Sequence, residues 1–183
     1  MIYSELRSDF DILHDAGAAQ GVFVMGCPAC ANMSLYIQNS AEDSATFVLT
    51  PTGYKAISMN EEVERLKQLF AKRGSDVGSW VGKYPLVGLC ILDESAREGV
   101  RKRCEDFDTV ITLCCEAGKT SIEGLLPEKK TVPGMNAKGI VNAKIKSKMK
   151  FFKYSIDKDS VNFTKFTLDS SPEASAWAPR SEC

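Results

Sequence analysis

The chain is short of histidine, of net charge and of long apolar runs, and each shortage removes a class of function. His14 is the only histidine in 183 residues, so no Ser/His/Asp arrangement can be assembled. Its place on an expected helix suits a surface or capping role. The net charge of −1 gives no electrostatic basis for general nucleic-acid binding. No uninterrupted apolar stretch approaches the ~20 residues of a membrane-spanning helix. Residues 1–9 carry acids and lack an apolar core, unlike a secretory signal. There is no internal repeat. A cytoplasmic protein is expected, long enough for one buried core and an appendage.

Cysteine, by contrast, is plentiful. Seven is an odd number for a disulfide framework, and in a reducing compartment such residues serve more often as metal ligands, redox thiols or small core residues. The stretch Gly26-Cys27-Pro28-Ala29-Cys30 closes the apolar run Val22-Phe23-Val24-Met25 and precedes the helix-compatible Ala31 to Ile37. Two thiols at this spacing can share a zinc ion or an iron-sulfur cluster. They can also form a thioredoxin-like redox pair, or simply pack beside a turn. A helix N-terminus would stabilise thiolate at either cysteine.

Periodicity supplies the fold. Helices are expected over Asp9 to Ala19, Ala29 to Gln38, Asn60 to Gly74, Ser95 to Glu105 and Lys119 to Leu126. Strands are expected at Val22 to Met25, Leu86 to Leu92, Thr109 to Leu113 and Lys130 to Val132. A β-rich segment, Ala45 to Leu49, ends in the turn Thr50-Pro51-Thr52-Gly53. This alternation predicts an α/β fold, a three-layer parallel sheet with flanking helices, plus a C-terminal β-hairpin. Ligands in parallel sheets bind beyond the strand C-termini, and both cysteine pairs, Cys27/Cys30 and Cys114-Cys115, fall there.

Cys114 and Cys115 end a strand, so their side chains should diverge, one packing and one reaching the edge. Gly118 downstream favours Cys115 as the reaching residue. Cys90, within Leu89-Cys90-Ile91, reads first as core, although a ligand can stand mid-strand. Cys104 lies on an apolar helix face and reads as core, and Cys183 belongs to a polar tail. Gly118-Lys119-Thr120 invites a P-loop reading, but Leu113 stands where that motif needs its first glycine. Asp93-Glu94 face the functional edge and could act as acid and base, contact a partner, or merely be solvated.

Charge divides the chain. Residues 1–128 hold 12 Lys/Arg against 19 Asp/Glu, a balance of −7, and residues 129–183 hold 11 against 5, a balance of +6. Lys144 to Phe151 and Val161 to Lys165 alternate with period 2 around Ile156-Asp157-Lys158-Asp159, which reads as a turn. The lysines suit an acidic or phosphate-bearing partner, or protection of a sheet edge. The expected division is 1–142 for the cysteine-containing domain, 143–169 for the basic hairpin and 170–183 for a polar tail.

The order of these features resembles the cysteine-rich domain found with methylenetetrahydrofolate reductases, as a C-terminal extension or a separate small subunit. The residues that carry the likeness are Gly26-Cys27-Pro28-Ala29-Cys30, Val87-Gly88 to Asp93-Glu94, Cys115-Glu116-Ala117-Gly118 and Pro133-Gly134-Met135-Asn136. They span about residues 10–140. The chain departs from the family in having Ser95 where a cysteine usually follows the acids, and in lacking the further cysteine-rich C-terminal segment. The resemblance implies a 4Fe-4S cluster or Zn2+ at Cys27, Cys30 and Cys115, with Cys90 in place of the missing ligand. It also implies a protein partner in one-carbon metabolism, a folate-dependent reductase or a corrinoid methyl-transfer protein. The folate active site does not belong to this domain.

Three functions follow in order of preference. The first is a metal-binding accessory protein that passes electrons or stabilises its partner. The second is a small thiol-disulfide redox protein using Cys27 and Cys30. The third, a heavy-metal carrier suggested by Met25-Gly26-Cys27, is opposed by the long βα series.

Overall fold

The computed structural model describes residues 1–39, 45–51, 53–83, 87–148 and 153–166. Its elements, in order, are β1 (Ile2–Leu6), α1 (Asp9–Ala16), β2 (Gly21–Gly26), α2 (Cys30–Asn39), β3 (Phe47–Thr50), β4 (Gly53–Ala56), α3 (Ile57–Ala71), β5 (Asp76–Val81), α4 (Glu94–Cys104), β6 (Thr109–Leu113), α5 (Glu116–Leu125), β7 (Lys130–Pro133), β8 (Met135–Lys148) and β9 (Lys153–Lys165). The strands form two sheets, in the orders β5-β2-β6-β7 and β1-β8-β9-β3-β4.

The four-stranded sheet is parallel throughout. Its inner strands β2 and β6 read as unbroken apolar or β-branched runs because both of their faces are covered. The chain leaves β2 toward β5 on one side, then returns past β2 to β6 and β7 on the other. The direction of winding therefore reverses between β2 and β6. Beyond the C-termini of two strands that diverge in this way lies the natural crevice of an open parallel sheet.

The single parallel sheet expected from the βα alternation is only half of the molecule. The other five strands pair antiparallel, with β1 against β8, β8 against β9, β9 against β3 and β3 against β4. β1 escapes sequence pattern because Ser4, although fully buried, is polar, its amide bonding to Ser34 Oγ at 3.1 Å.

The third parallel strand also differs from expectation. Leu86 lies outside the described residues, and Val87 to Leu92 forms a turn rather than a strand, closed by Ile91 N–H donating to Gly88 O at 3.1 Å. Leu89 is buried in the core and Leu92 packs against it half-buried, while Val87 and Ile91 are exposed. Asp76–Val81 takes the strand position instead, next to β2. Its apolar signal is weak because neighbours supply the packing: Phe23 and Phe107 lie over Gly78, where a Cβ would come within 2.7 Å of Phe23.

The C-terminal strands do pair antiparallel, but Ile156 to Asp159 is not their turn. β8 ends at Lys148 and β9 begins at Lys153, and residues 149–152 lie outside the description. The turn chemistry of Asp157 to Ser160 appears as a bulge. Pairing jumps from Asn142↔Asn162 to Lys144↔Asp157, and Ser160 Oγ donates to Asp157 O while accepting from Lys144 N–H, both at 2.7 Å. β8 runs unbroken past Asn142, the boundary drawn from charge and pattern. The expected polar tail, 170–183, lies outside the described residues.

The two sheets are joined by α2 and α3. Ser34 and Gln38 on α2 bond to the β1 backbone. Asn32, fully buried on α2, donates to Thr46 O at 3.1 Å and accepts from Met59 N–H at 2.9 Å. Met59 and Val63 of α3 press on the end of β2, where a Cβ on Gly26 would meet them at 2.7 and 2.9 Å. Glycine is required there for close approach, one residue before Cys27.

Candidate metal centre

Cys27 follows the last residue of β2, and its N–H donates to Leu113 O at 2.9 Å. The loop after β2 is thereby stitched to the end of β6, where Cys114 and Cys115 follow. Cys30 opens α2 and Cys115 is the N-cap of α5. Cys90 sits on the turn between β5 and α4. Three separate stretches of chain therefore bring thiols to the rim between β2 and β6.

Their proximity shows in the groups that share them. A Cβ on Gly88 would stand 3.3 Å from Cys90 Sγ and 3.6 Å from Cys27 Sγ. Those two sulfurs thus flank one glycine. Cys115 and Cys30 both act through Coulombic repulsion on Cys27 and on Cys90, raising their pKa values. Cys114 is buried in the core beside Leu89, its Sγ 3.1 Å from a Cβ built on Gly118, and it is still near enough to Cys27 that this thiol, after burial, raises its pKa.

Burial dominates the protonation of these thiols. Cys27 is pushed up to about 11, chiefly by desolvation. Opposing this, the backbone N–H groups of Leu89 and Ala29 donate to its sulfur. Such donors favour the thiolate, and the second comes from the residue two positions along the Cys27-x-x-Cys30 loop. Cys114 is raised well above the ordinary thiol value, again by burial first. Cys90 is raised by burial and then by Cys115, so its sulfur side is turned inward although the residue as a whole is exposed.

Two helix N-termini face the same rim. α2 begins at Cys30, and α5 begins after Cys115 with no side-chain cap on its free N–H groups. Both ends carry partial positive charge and favour anionic sulfur. The donor set, four thiols beside two helix ends, has the chemistry of a soft-metal site. Geometry is less complete. Among the described residues, no group of three or more His, Cys, Asp and Glu side chains is arranged to hold a metal ion as it stands.

The remaining candidates are accounted for locally. Asp93 caps α4, its carboxylate accepting from Ala96 N–H at 2.7 Å, and Glu94 pairs with Arg97 and Arg101. Gly118 and Lys119 lie within α5, and Lys119 pairs with Glu116 and Glu123. Cys104 is fully buried and pushed up to about 11 by desolvation. His14 is exposed, stacked on Phe10 and 3.3 Å from Asp15. Cys183 lies outside the described residues.

Sequence reading missed the Leu89 and Ala29 N–H donors and the role of Gly88. A glycine inside an apolar run was the available signal, since it marks a bend or a close approach. Fold and site together define a mixed α/β protein with a thiol-lined rim on its parallel sheet. No protein-family profile, curated protein or solved structure matches this chain. Among the described residues no helix is long and apolar enough to cross a membrane.

Proposed function

We propose that this protein is a metal-binding accessory protein of one-carbon metabolism, cytoplasmic, holding a 4Fe-4S cluster or a zinc ion between Cys27, Cys30, Cys115 and Cys90. The observation that carries the reading is the gathering of these four thiols, from three stretches of chain, at the C-terminal ends of β2 and β6. Burial makes the metal-free Cys27 a neutral thiol, although two N–H groups already point at its sulfur. A bound cation would supply the charge that makes this buried thiolate favourable.

An iron-sulfur cluster would supply one-electron transfer, and zinc would supply a structural cross-link. The residues contribute the rest. Cys27 anchors the site to β2, Cys115 and Cys30 set their sulfurs at helix N-termini, and Leu89 seals the inner side. Since the thiols are not arranged for coordination as they stand, binding requires them to draw inward. The partner, a folate-dependent reductase or a corrinoid protein, rests on the resemblance carried by the Cys27-x-x-Cys30, Cys115 and Pro133 segments.

The alternative, a thiol-disulfide redox protein, is favoured by the free Cys27 and Cys30 at the start of α2. A pKa pushed up to about 11 weighs against Cys27 as its nucleophile. Iron, sulfide and zinc analysis of anaerobically purified protein separates the two. A stoichiometric metal with visible sulfur-to-iron absorption, or bound zinc, is the expected result. A metal-free chain that reversibly forms a Cys27–Cys30 disulfide overturns it.

A further inference from the structure

We infer that the open edge of β8 is a docking surface for an extended peptide that alternates acidic and apolar side chains. The peptide adds to the antiparallel sheet as a further strand, antiparallel to β8 as β1 and β9 are. This edge belongs to the other sheet from the thiols, so the inference stands or falls independently of the metal-binding reading.

β1 covers only the first part of β8. The two strands pair between Met135 and Ile140, and Met1 and Val141 exchange backbone bonds, both at 2.9 Å. β8 then continues to Lys148 with β9 on its other side. Among the described residues no strand lies along the vacant side from Asn142 to Lys148. Two bonds fix the direction of its backbone groups. Val141 turns toward β1, whereas Lys144 N–H donates to Ser160 Oγ on β9. Alternation along an antiparallel strand then points the N–H and C=O groups of Ala143, Ile145 and Ser147 to the vacant side.

Side chains decide what kind of strand fits. Cross-strand partners share a face, so Ile145 lies on the face of Ile156, and Lys144 on that of Asp157. Ile156 is 5% exposed and Ile145 64%, so the apolar layer under the sheet ends within one strand spacing, at the edge itself. An apolar side chain on an added strand extends that layer over Ile145. The opposite face is basic. The paired stretches 144–148 and 153–157 hold Lys144, Lys146, Lys148 and Lys153 against a single acid, Asp157, which Lys146 engages at 2.8 Å. Acidic residues at alternate positions of the incoming strand offset that excess. Main-chain bonds supply affinity in such strand addition, and side chains supply the choice of partner. The same lysines oppose pairing of two β8 edges from separate copies, which would set like charges opposite one another. The acidic balance of residues 1–128 disfavours a long polyanion such as nucleic acid.

The probe is a short fluorescent peptide that alternates glutamate with valine, capped at both ends and titrated with the full-length chain by anisotropy. Saturable binding is expected, with the Ala143, Ile145 and Ser147 amides slowed in hydrogen exchange. In the register that sets a valine opposite Ile145, the valine N–H groups face β8 and the glutamate N–H groups face away. N-methylation of the valine amides should therefore weaken binding by more than about tenfold, and of the glutamate amides by less than about threefold. These comparisons need no variant to fold. Lys144→Glu should weaken binding by about threefold or more at low salt, and the difference should shrink at high salt. A peptide alternating lysine with valine should not compete. Absence of binding, equal weakening by the two methylated peptides, or equal competition from the lysine peptide would overturn the inference. So would tighter binding of a single-stranded oligonucleotide at the same amides, or a dimer of the free chain that already protects them.

Discussion

In the parallel sheet nearly every side chain of β2 and β6 is buried, and the candidate site lies where those strands end. The antiparallel sheet leaves Ile140, Ile145 and Phe163 exposed and carries lysines along β8. The difference follows from coverage. Inner strands flanked on both faces have side chains with nowhere to move, so groups at their ends are placed firmly. A half-covered ribbon tolerates polar substitution and offers surface instead of precision. The two halves should therefore respond very differently to mutation.

The largest effect is expected at the rim. Cys27→Ser should remove metal binding almost entirely, read as loss of bound metal from anaerobically purified protein, while circular dichroism stays native. Next comes the joint between the sheets. Asn32→Ala leaves Met59 N–H buried without its partner, at about 1–3 kcal/mol, whereas Thr46 O keeps the bond from Ile57 N–H. Urea denaturation should show this loss with little change in the dependence on denaturant.

A smaller effect concerns pH. In the metal-free protein the Cys27 and Cys104 thiols are raised from the ordinary 9.0 to about 11. The unfolded chain then loses these protons first. Their stabilising contribution is complete below pH 9, declines above it and is gone beyond about 11. Thermal denaturation across that window should show the decline. With metal bound, Cys27 is already deprotonated, so the decline should shrink while the Cys104 share remains. Smallest of all, Lys144→Ser on the exposed ribbon should change stability by less than about 0.5 kcal/mol and leave metal binding untouched. A large effect there would break the contrast between the sheets.

How much could be read from sequence follows the same division. β6 is predicted at its observed bounds, Thr109–Leu113, because a fully buried run shows itself. α1, α2 and α4 are legible from apolar spacing. β5 is hidden because phenylalanines from elsewhere pack over Gly78, and the run through Leu89 misleads because it turns at Gly88 and leaves Val87 and Ile91 exposed. β1 and β8 pair across more than a hundred residues of sequence, as Ile2↔Ile140 shows, and no local pattern reports such a partner. At the rim, cysteine spacing and strand ends are visible in sequence. The Gly88 turn and the amides aimed at Cys27 are properties of the folded backbone alone.

α2 has one end in each world. Its first residue stands among the thiols, and about two turns later Gln38 grips Ser4 O at 2.8 Å. A helix of this length behaves as a stiff rod, so Cys30 cannot travel alone. Any displacement at the sulfur end must slide the rod along β1 or snap its bonds to Ser4, which gears the thiol-lined rim to the lysine-bearing sheet behind it.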